Sequence, residues 1–158
     1  MDEERASYAE DFGLMFEGFG LPRMVGRVLG VLLISDPPDL SAEELAEALH
    51  ASRGSISSAT RTLVTMGLVQ RRTKPGERRD YFRMKPGAWD ELMRRELETL
   101  ARFRQMAERG LDIASSDSLE AQRNLEEMRE FYAYWEKELP AVLKRWEEDK
   151  KKEASWVQ

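Results

Sequence analysis

A chain of 158 residues, 41% of them hydrophobic, with 25 Lys+Arg against 30 Asp+Glu and a net charge of −5, is long enough for one compact domain or one lobe with a helical extension, without room for a separate catalytic domain. With no cysteine and a single histidine, His50, disulfides and thiolate or His-rich metal sites are excluded and no Ser-His-Asp constellation has spare members, so neither enzymatic chemistry nor a metal or cofactor is expected. The longest apolar run, Val28 to Ile34, is too short to span a bilayer, and the start Met1-Asp-Glu-Glu lacks the basic segment of a signal peptide; a cytoplasmic protein without a membrane partner is expected.

In chain order, Tyr8, Phe12, Met15, Phe16 and Phe19 recur at helical spacing before Gly20. Pro22, expected at the first helical position, then opens a second helix over Arg23 to Ser35 that Asp36-Pro37-Pro38 ends. Gly26 and Gly30 are spaced as GxxxG, which in a soluble chain predicts a close helix crossing rather than a membrane dimer.

From Leu40 to Lys85 the signals follow one another without a gap. Ser41-Ala-Glu-Glu44 is a capping box, in which Ser41 accepts from a free helical N–H and Glu44 reaches back. A short helix with Leu45, Ala46 and Leu49 on its apolar side leads to the turn His50-Ala51-Ser52, where His50 has a capping or surface role. Ser52 then caps a second helix with Ile56, Ala59, Thr60, Leu63 and Met66 inward and Arg53, Ser57, Ser58, Arg61 and Thr65 outward. Gly67 closes it. The runs Leu68 to Thr73 and Asp80 to Met84, joined by Lys74-Pro-Gly-Glu-Arg-Arg79, predict a hairpin with a basic tip.

This order of elements is a winged helix-turn-helix. Residues 53–85 hold nine basic against two acidic residues, a net of +7 that leaves −12 for the remainder. A positive field localised on an acidic body favours docking of double-stranded DNA in one orientation. Short hydroxyl side chains at the start of the second helix suit base edges or phosphates in the major groove, and wing arginines suit the backbone and minor groove.

The segment from Ser52 to Val69, followed by Gly76-Glu-Arg-Arg-Asp-Tyr-Phe82, resembles the recognition helix and wing of the MarR superfamily, and more closely its GbsR-like branch, which includes mycobacterial repressors of lipid and drug efflux transporters. The resemblance covers most of the chain. It implies that Ser52, Arg53, Ser55, Ser57, Ser58, Arg61 and Thr62 face the major groove, that Arg78 and Arg79 are the wing arginines, and that Glu77 orients one of them; Lys74, in the basic hairpin tip, is expected to join the wing contacts. Many members leave the wing with Leu-Thr, whereas this chain has Lys85-Pro86, so a different junction is expected. A small lipophilic effector that releases DNA is a further implication of the resemblance.

Helical pattern resumes from Gly87 to Arg109 through Trp89, Leu92, Met93, Leu97, Leu100 and Phe103, and Ser116-Asp117-Ser118 is expected to break and recap the chain. In the last helix Leu125, Met128, Tyr132, Trp135, Leu139, Val142 and Trp146 alternate spacings of three and four, a heptad seam that needs a partner helix. The economical partners are the N-terminal helix, with Phe12, Phe16 and Phe19, and the same elements of a second subunit, so a homodimer is expected. Pro140 should kink or divide this helix. Lys150-Lys-Lys152 reads as a solvated tail.

The expected fold is therefore mainly α with a small β-hairpin wing. An N-terminal dimerisation helix spans 1–21, the winged helix-turn-helix 22–86 and C-terminal dimerisation helices 87–158. The expected function is sequence-specific transcriptional regulation, as a dimeric repressor on a pseudo-palindromic operator. An effector-independent architectural DNA-binding protein and a winged-helix protein-interaction module remain compatible with the residues.

Overall fold

A computed structural model describes residues 1–114 and 118–155. The expected break at Ser116 and Asp117 lies outside the described residues. The chain divides into two compact units, Met1–Trp89 and Asp90–Gln158.

The first unit begins with α1 (Glu3–Gly18), capped by Asp2, whose side chain accepts from the Arg5 N–H at 2.9 Å. It crosses α2 (Arg23–Leu33) closely because both helices present small residues. A Cβ on Gly26 would lie 2.1 Å from the Phe12 carbonyl oxygen, and one on Gly30 would lie 2.9 Å from the Ala9 Cα. The GxxxG spacing thus makes an intramolecular crossing. Glu10 ties the two helices by pairing with Arg23 and, at 3.0 Å, with Arg27. Val25, Val28, Leu29, Val31 and Leu32 of α2 are all buried, and each contributes about 1.5 to 3 kcal/mol of burial. Two boundaries differ from expectation. Pro22 is the N-cap rather than the first helical residue, and the helix stops at Leu33, with Ile34 as C-cap, rather than reaching Ser35.

The winged fold follows as β1 (Leu40–Ser41), α3 (Ala42–Ala48), α4 (Arg53–Thr65), β2 (Val69–Thr73) and β3 (Asp80–Met84). The capping box is formed: the Ser41 N–H donates to Glu44 Oε2 at 2.7 Å and the Glu44 N–H to Ser41 Oγ at 3.2 Å. Helix α3 ends with His50 in the left-handed region (φ 48). There the Ala51 N–H reaches the Ala46 carbonyl at 2.9 Å and the His50 N–H the Glu47 carbonyl at 3.3 Å, so the lone histidine closes a helix in the Schellman arrangement. Helix α4 ends in the same way through Gly67 (φ 75), with the Leu68 N–H on the Leu63 carbonyl at 3.1 Å.

The sheet is antiparallel in the order β1-β3-β2, with Leu40 opposite Phe82 and Arg71 opposite Phe82 on the other side. The two-residue β1 was not foreseen, because Ser41 ends a strand and caps a helix at once and the cap is the stronger signal. Tyr81 and Phe82 of β3 are buried, as are Ile56, Ala59 and Leu63 of α4. At the wing exit the Lys85 N–H donates to the Leu68 carbonyl at 2.9 Å and Gly87 adopts φ 72 before α5 begins.

The second unit contains most of α5 (Ala88–Ile113), one turn longer than expected, and α6 (Leu119–Ser155), which is continuous through Pro140 rather than divided by it. The two run antiparallel, joined by Arg104–Glu136 at 2.5 Å, Arg94–Glu147 at 2.5 Å and Lys150–Asp90 at 2.8 Å. Phe103 stacks on Tyr132 with centroids 4.8 Å apart, and the Trp146 Nε1–H donates to Asp90 at 2.9 Å. Lys150 and the Trp146 indole hold the Asp90 carboxyl below the usual carboxylate range. No helix among the described residues is long and apolar enough to cross a membrane.

The heptad seam divides between two environments. Tyr132 and Trp146 make these contacts to α5, and Leu125 at the equivalent position lies against Gly110. Leu139, in the same register, is half-buried. Trp146 is nonetheless 54% exposed, and in the alternate set Met128 is half-buried while Trp135 and Val142 are 40% and 46% exposed. Part of the partner helix required by the seam is thus α5 of the same chain.

Candidate nucleic-acid interface

Helix α4 turns one face to the core and the other outward because the two sets of residues alternate at helical spacing. Ile56, Ala59, Thr60 and Leu63 are buried, whereas Ser52, Arg53, Ser55, Ser57, Ser58 and Arg61 are exposed and Thr62 is intermediate. Buried Thr60 donates its hydroxyl to the Ile56 carbonyl at 2.8 Å. Ser52 is the N-cap, accepting from the Ser55 N–H at 3.1 Å with its Oγ 2.9 Å from Ser55 Oγ, and Thr62 donates back to the Ser58 carbonyl at 3.1 Å. These three hydroxyls are engaged locally. Among the described residues, Ser57 and Ser58 have no such side-chain bond.

The hairpin brings its arginines beside the same helix. A cleft of about 310 Å³ is lined by Glu43 of α3, Arg53, Ser57 and Thr60 of α4 and Arg79 and Phe82 of the wing strand and its approach. Glu43 joins its two sides: one carboxylate oxygen lies 2.9 Å from Arg53 Nη2 and the other 3.6 Å from Arg79 Nη1. Arg61 and Ser57 border a neighbouring hollow with Arg71, whose Nη2 pairs with Asp80 at 2.6 Å. Arg61, Arg72 and Arg78 form no ion pair among the described residues and are exposed.

Other charged side chains shape the wing from within. Lys74 lies 3.8 Å above the Tyr81 ring, and the Tyr81 hydroxyl donates to Glu77. That carboxylate raises the Tyr81 pKa above its ordinary value and lies 4.0 Å from Arg79 Nε. Glu44 titrates low, chiefly because the Ser41 N–H and then its hydroxyl bind the charged carboxylate. Arg83, counted in the basic segment, is only 29% exposed and sits 4.0 Å from Asp39.

The chain is 38% identical over 139 residues to the HTH-type transcriptional regulator MmpR5 of Mycobacterium tuberculosis, covering 88% of this chain and 84% of that protein. It belongs to the MarR family of transcriptional regulators. Two family descriptions match this MarR-family chain in sequence: "MarR family" over residues 19–80 and "MmpR5-like MarR family transcriptional regulator" over residues 87–149. A crystal structure of a transcriptional regulator is similar to it with a TM-score of 0.80 and 36% identity, over 92% of this chain and 99% of the other. The HTH-type transcriptional repressor OpcR of Bacillus subtilis is 31% identical over 64 residues, 40% of this chain and 34% of that protein. The chain is accordingly a winged helix-turn-helix, DNA-binding transcriptional regulator. Its bipartite match follows the two compact units: one description falls on α2 through β2 and the wing tip, the other on α5 and most of α6.

Of the residues expected to make the dimer, Phe16 is buried within the protomer, Phe12 is intermediate and Phe19 is 73% exposed. The residues that sequence reasoning missed are Glu43, which bridges helix and wing, and Asp80, which holds Arg71. Each is an ordinary surface acid by spacing, and only the folded hairpin brings it to its arginines.

Proposed function

We propose that the chain is a homodimeric repressor that occupies a pseudo-palindromic operator in the cytoplasm and is released by a small lipophilic molecule. The observation that carries the reading is the joint cleft of α4 and the wing, flanked by Arg53 and Arg79 and continued by the unpaired Arg61, Arg72 and Arg78. On this reading Ser52, Arg53, Ser55, Ser57, Ser58, Arg61 and Thr62 enter the major groove. Lys74, Arg78 and Arg79 hold the backbone and minor groove, with phosphate contacts setting register and base contacts setting preference.

Exposed Phe19, Trp135 and Val142, with half-buried Met128 in the same α6 seam as the last two, support self-association, since a two-fold dimer sets two recognition helices about 34 Å apart. Phe12, Phe16, Leu125, Tyr132, Leu139 and Trp146 complete the proposed dimerisation set, in part by shaping the helices that carry those exposed residues. Repression is supported by the description of the Bacillus relative as a repressor. The lipophilic effector and the GbsR-like branch rest on the likeness of residues 52–69 and 76–82 to that branch.

The test is selection of genomic fragments by the purified protein, followed by sequencing. Enrichment of one inverted repeat supports the reading, and its loss on adding a lipophilic effector supports release. Retention of all fragments alike would replace it with an architectural binder, and retention of none would remove DNA from the account.

A further inference from the structure

We infer that Glu43 is a positioning residue for operator selectivity: its carboxylate lies between the recognition helix and the wing, biasing Arg53 and Arg79 toward one separation and discouraging their use on arbitrary duplex. The inference rests on the DNA-binding reading above and adds a residue and a role to it.

Three observations carry it. First, the carboxylate is shared, one oxygen per arginine, at 2.9 Å to Arg53 and 3.6 Å to Arg79. These arginines come from elements that approach each other only through the fold. Second, the three side chains are 51%, 82% and 60% exposed, and pairs so open to water add little to stability. Their effect therefore falls on geometry and local charge. Third, Glu43 follows the Ser41 cap by two residues, in the first turn of α3. The same cap orders the backbone that carries it, while Glu44 is occupied by the capping box and does not substitute.

A carboxylate in a DNA-facing cleft repels phosphate. On a random duplex, where only charge attracts, that repulsion is uncompensated. On the operator, the two guanidinium groups meet their contacts from pre-set positions, and less side-chain freedom is lost on binding. Glu43 thus lowers general affinity more than specific affinity, which is selectivity by repulsion of the wrong partner.

The test measures the affinity of full-length protein for its selected operator and for a random duplex of equal length, at several salt concentrations. Glu43→Gln keeps the shape and removes the charge. It is expected to tighten random-duplex binding about threefold to tenfold, the scale of two exposed ion pairs, while operator binding does not rise in step and the ratio falls. Glu43→Asp restores the charge on a shorter stem that does not span both arginines. It should return random-duplex affinity toward wild type without restoring the full ratio.

In an Arg53→Ala/Arg79→Ala background, Glu43→Gln should change the ratio less than it does in the wild-type background, because only the direct repulsion of phosphate is left, a coupling that a merely structural role would not produce. An unchanged ratio in the single variant, equal tightening on both duplexes, or the same ratio change without the arginines would overturn the inference while leaving DNA binding intact. Wild-type protein that selects no operator would overturn the DNA reading and this inference with it.

Discussion

Arg78 and Arg79 are neighbours in sequence with different surroundings. Arg79 lies within reach of Glu43 and Glu77, whereas Arg78 is exposed without an ion pair among the described residues. Replacing both with alanine should weaken binding to most duplexes and flatten the log-log salt dependence by about two, one for each phosphate that is no longer neutralised. Titration at several salt concentrations measures this, and an unchanged slope in a folded double variant would remove the wing from the DNA-binding surface. Glu44 gives a stability prediction with a defined sign. Its pKa lies below the ordinary value of 4.5 because Ser41 binds the carboxylate. The stabilisation is therefore present above about 4.5 and lost as pH falls through the lower folded value. Thermal melting should show a steeper loss of stability below that pH in wild type than in Glu44→Gln. Ser41→Ala, which removes one half of the box, should cost about 1 kcal/mol at neutral pH.

At the scale of elements, the α1–α2 crossing sets two opposing effects against each other. Alanine favours a helix over glycine by up to about 1 kcal/mol, but at Gly26 the added methyl would meet the Phe12 carbonyl oxygen at 2.1 Å. Overpacking wins, and Gly26→Ala should destabilise by about 2 to 3 kcal/mol in denaturant unfolding. At Gly18 nothing lies within 4 Å, and the same change should stabilise by a few tenths to about 1 kcal/mol. If the two variants unfold alike, the crossing is looser than the distances require. The same elements show why parts of the fold were legible. Caps, glycine stops and the apolar face of α4 are local rules written in adjacent residues, so Ser41, Ser52 and Gly67 could be read directly. Strand β1 is two residues long and has no period. The heptad seam of α6 was visible, but which half α5 takes depends on Phe103, Gly110 and Asp90, residues distant in sequence from their partners. Glu43 was missed for the same reason.

For the whole molecule, the split seam separates folding of the hairpin from assembly. Trp135→Glu with Val142→Glu alters the open half and leaves the Tyr132–Phe103 stack and the Trp146–Asp90 bond in place. If that half forms the proposed dimer, charge buried there should weaken self-association at least about a hundredfold while helicity persists. Tyr132→Ala should do the reverse first, loosening the hairpin within each chain by about 1 kcal/mol or more through loss of the stack. Mass in solution, circular dichroism and affinity for full and half operators distinguish the two. A double variant that remains dimeric and binds the full site normally would move the interface elsewhere, with exposed Phe19 as the next residue to test.

Helix α2 is buried on the side that meets α1 and on the side that meets α4. Its amides are therefore protected only while both neighbours are in place. Exchange with deuterium should register α1, α2 and α4 as one cooperative opening rather than a fraying N-terminal arm ahead of a stable lobe. A protease that clips the first helix would then yield no trimmed, DNA-competent remnant, because the cut exposes Val25, Val28 and Leu29 and the reading helix loses its support with them.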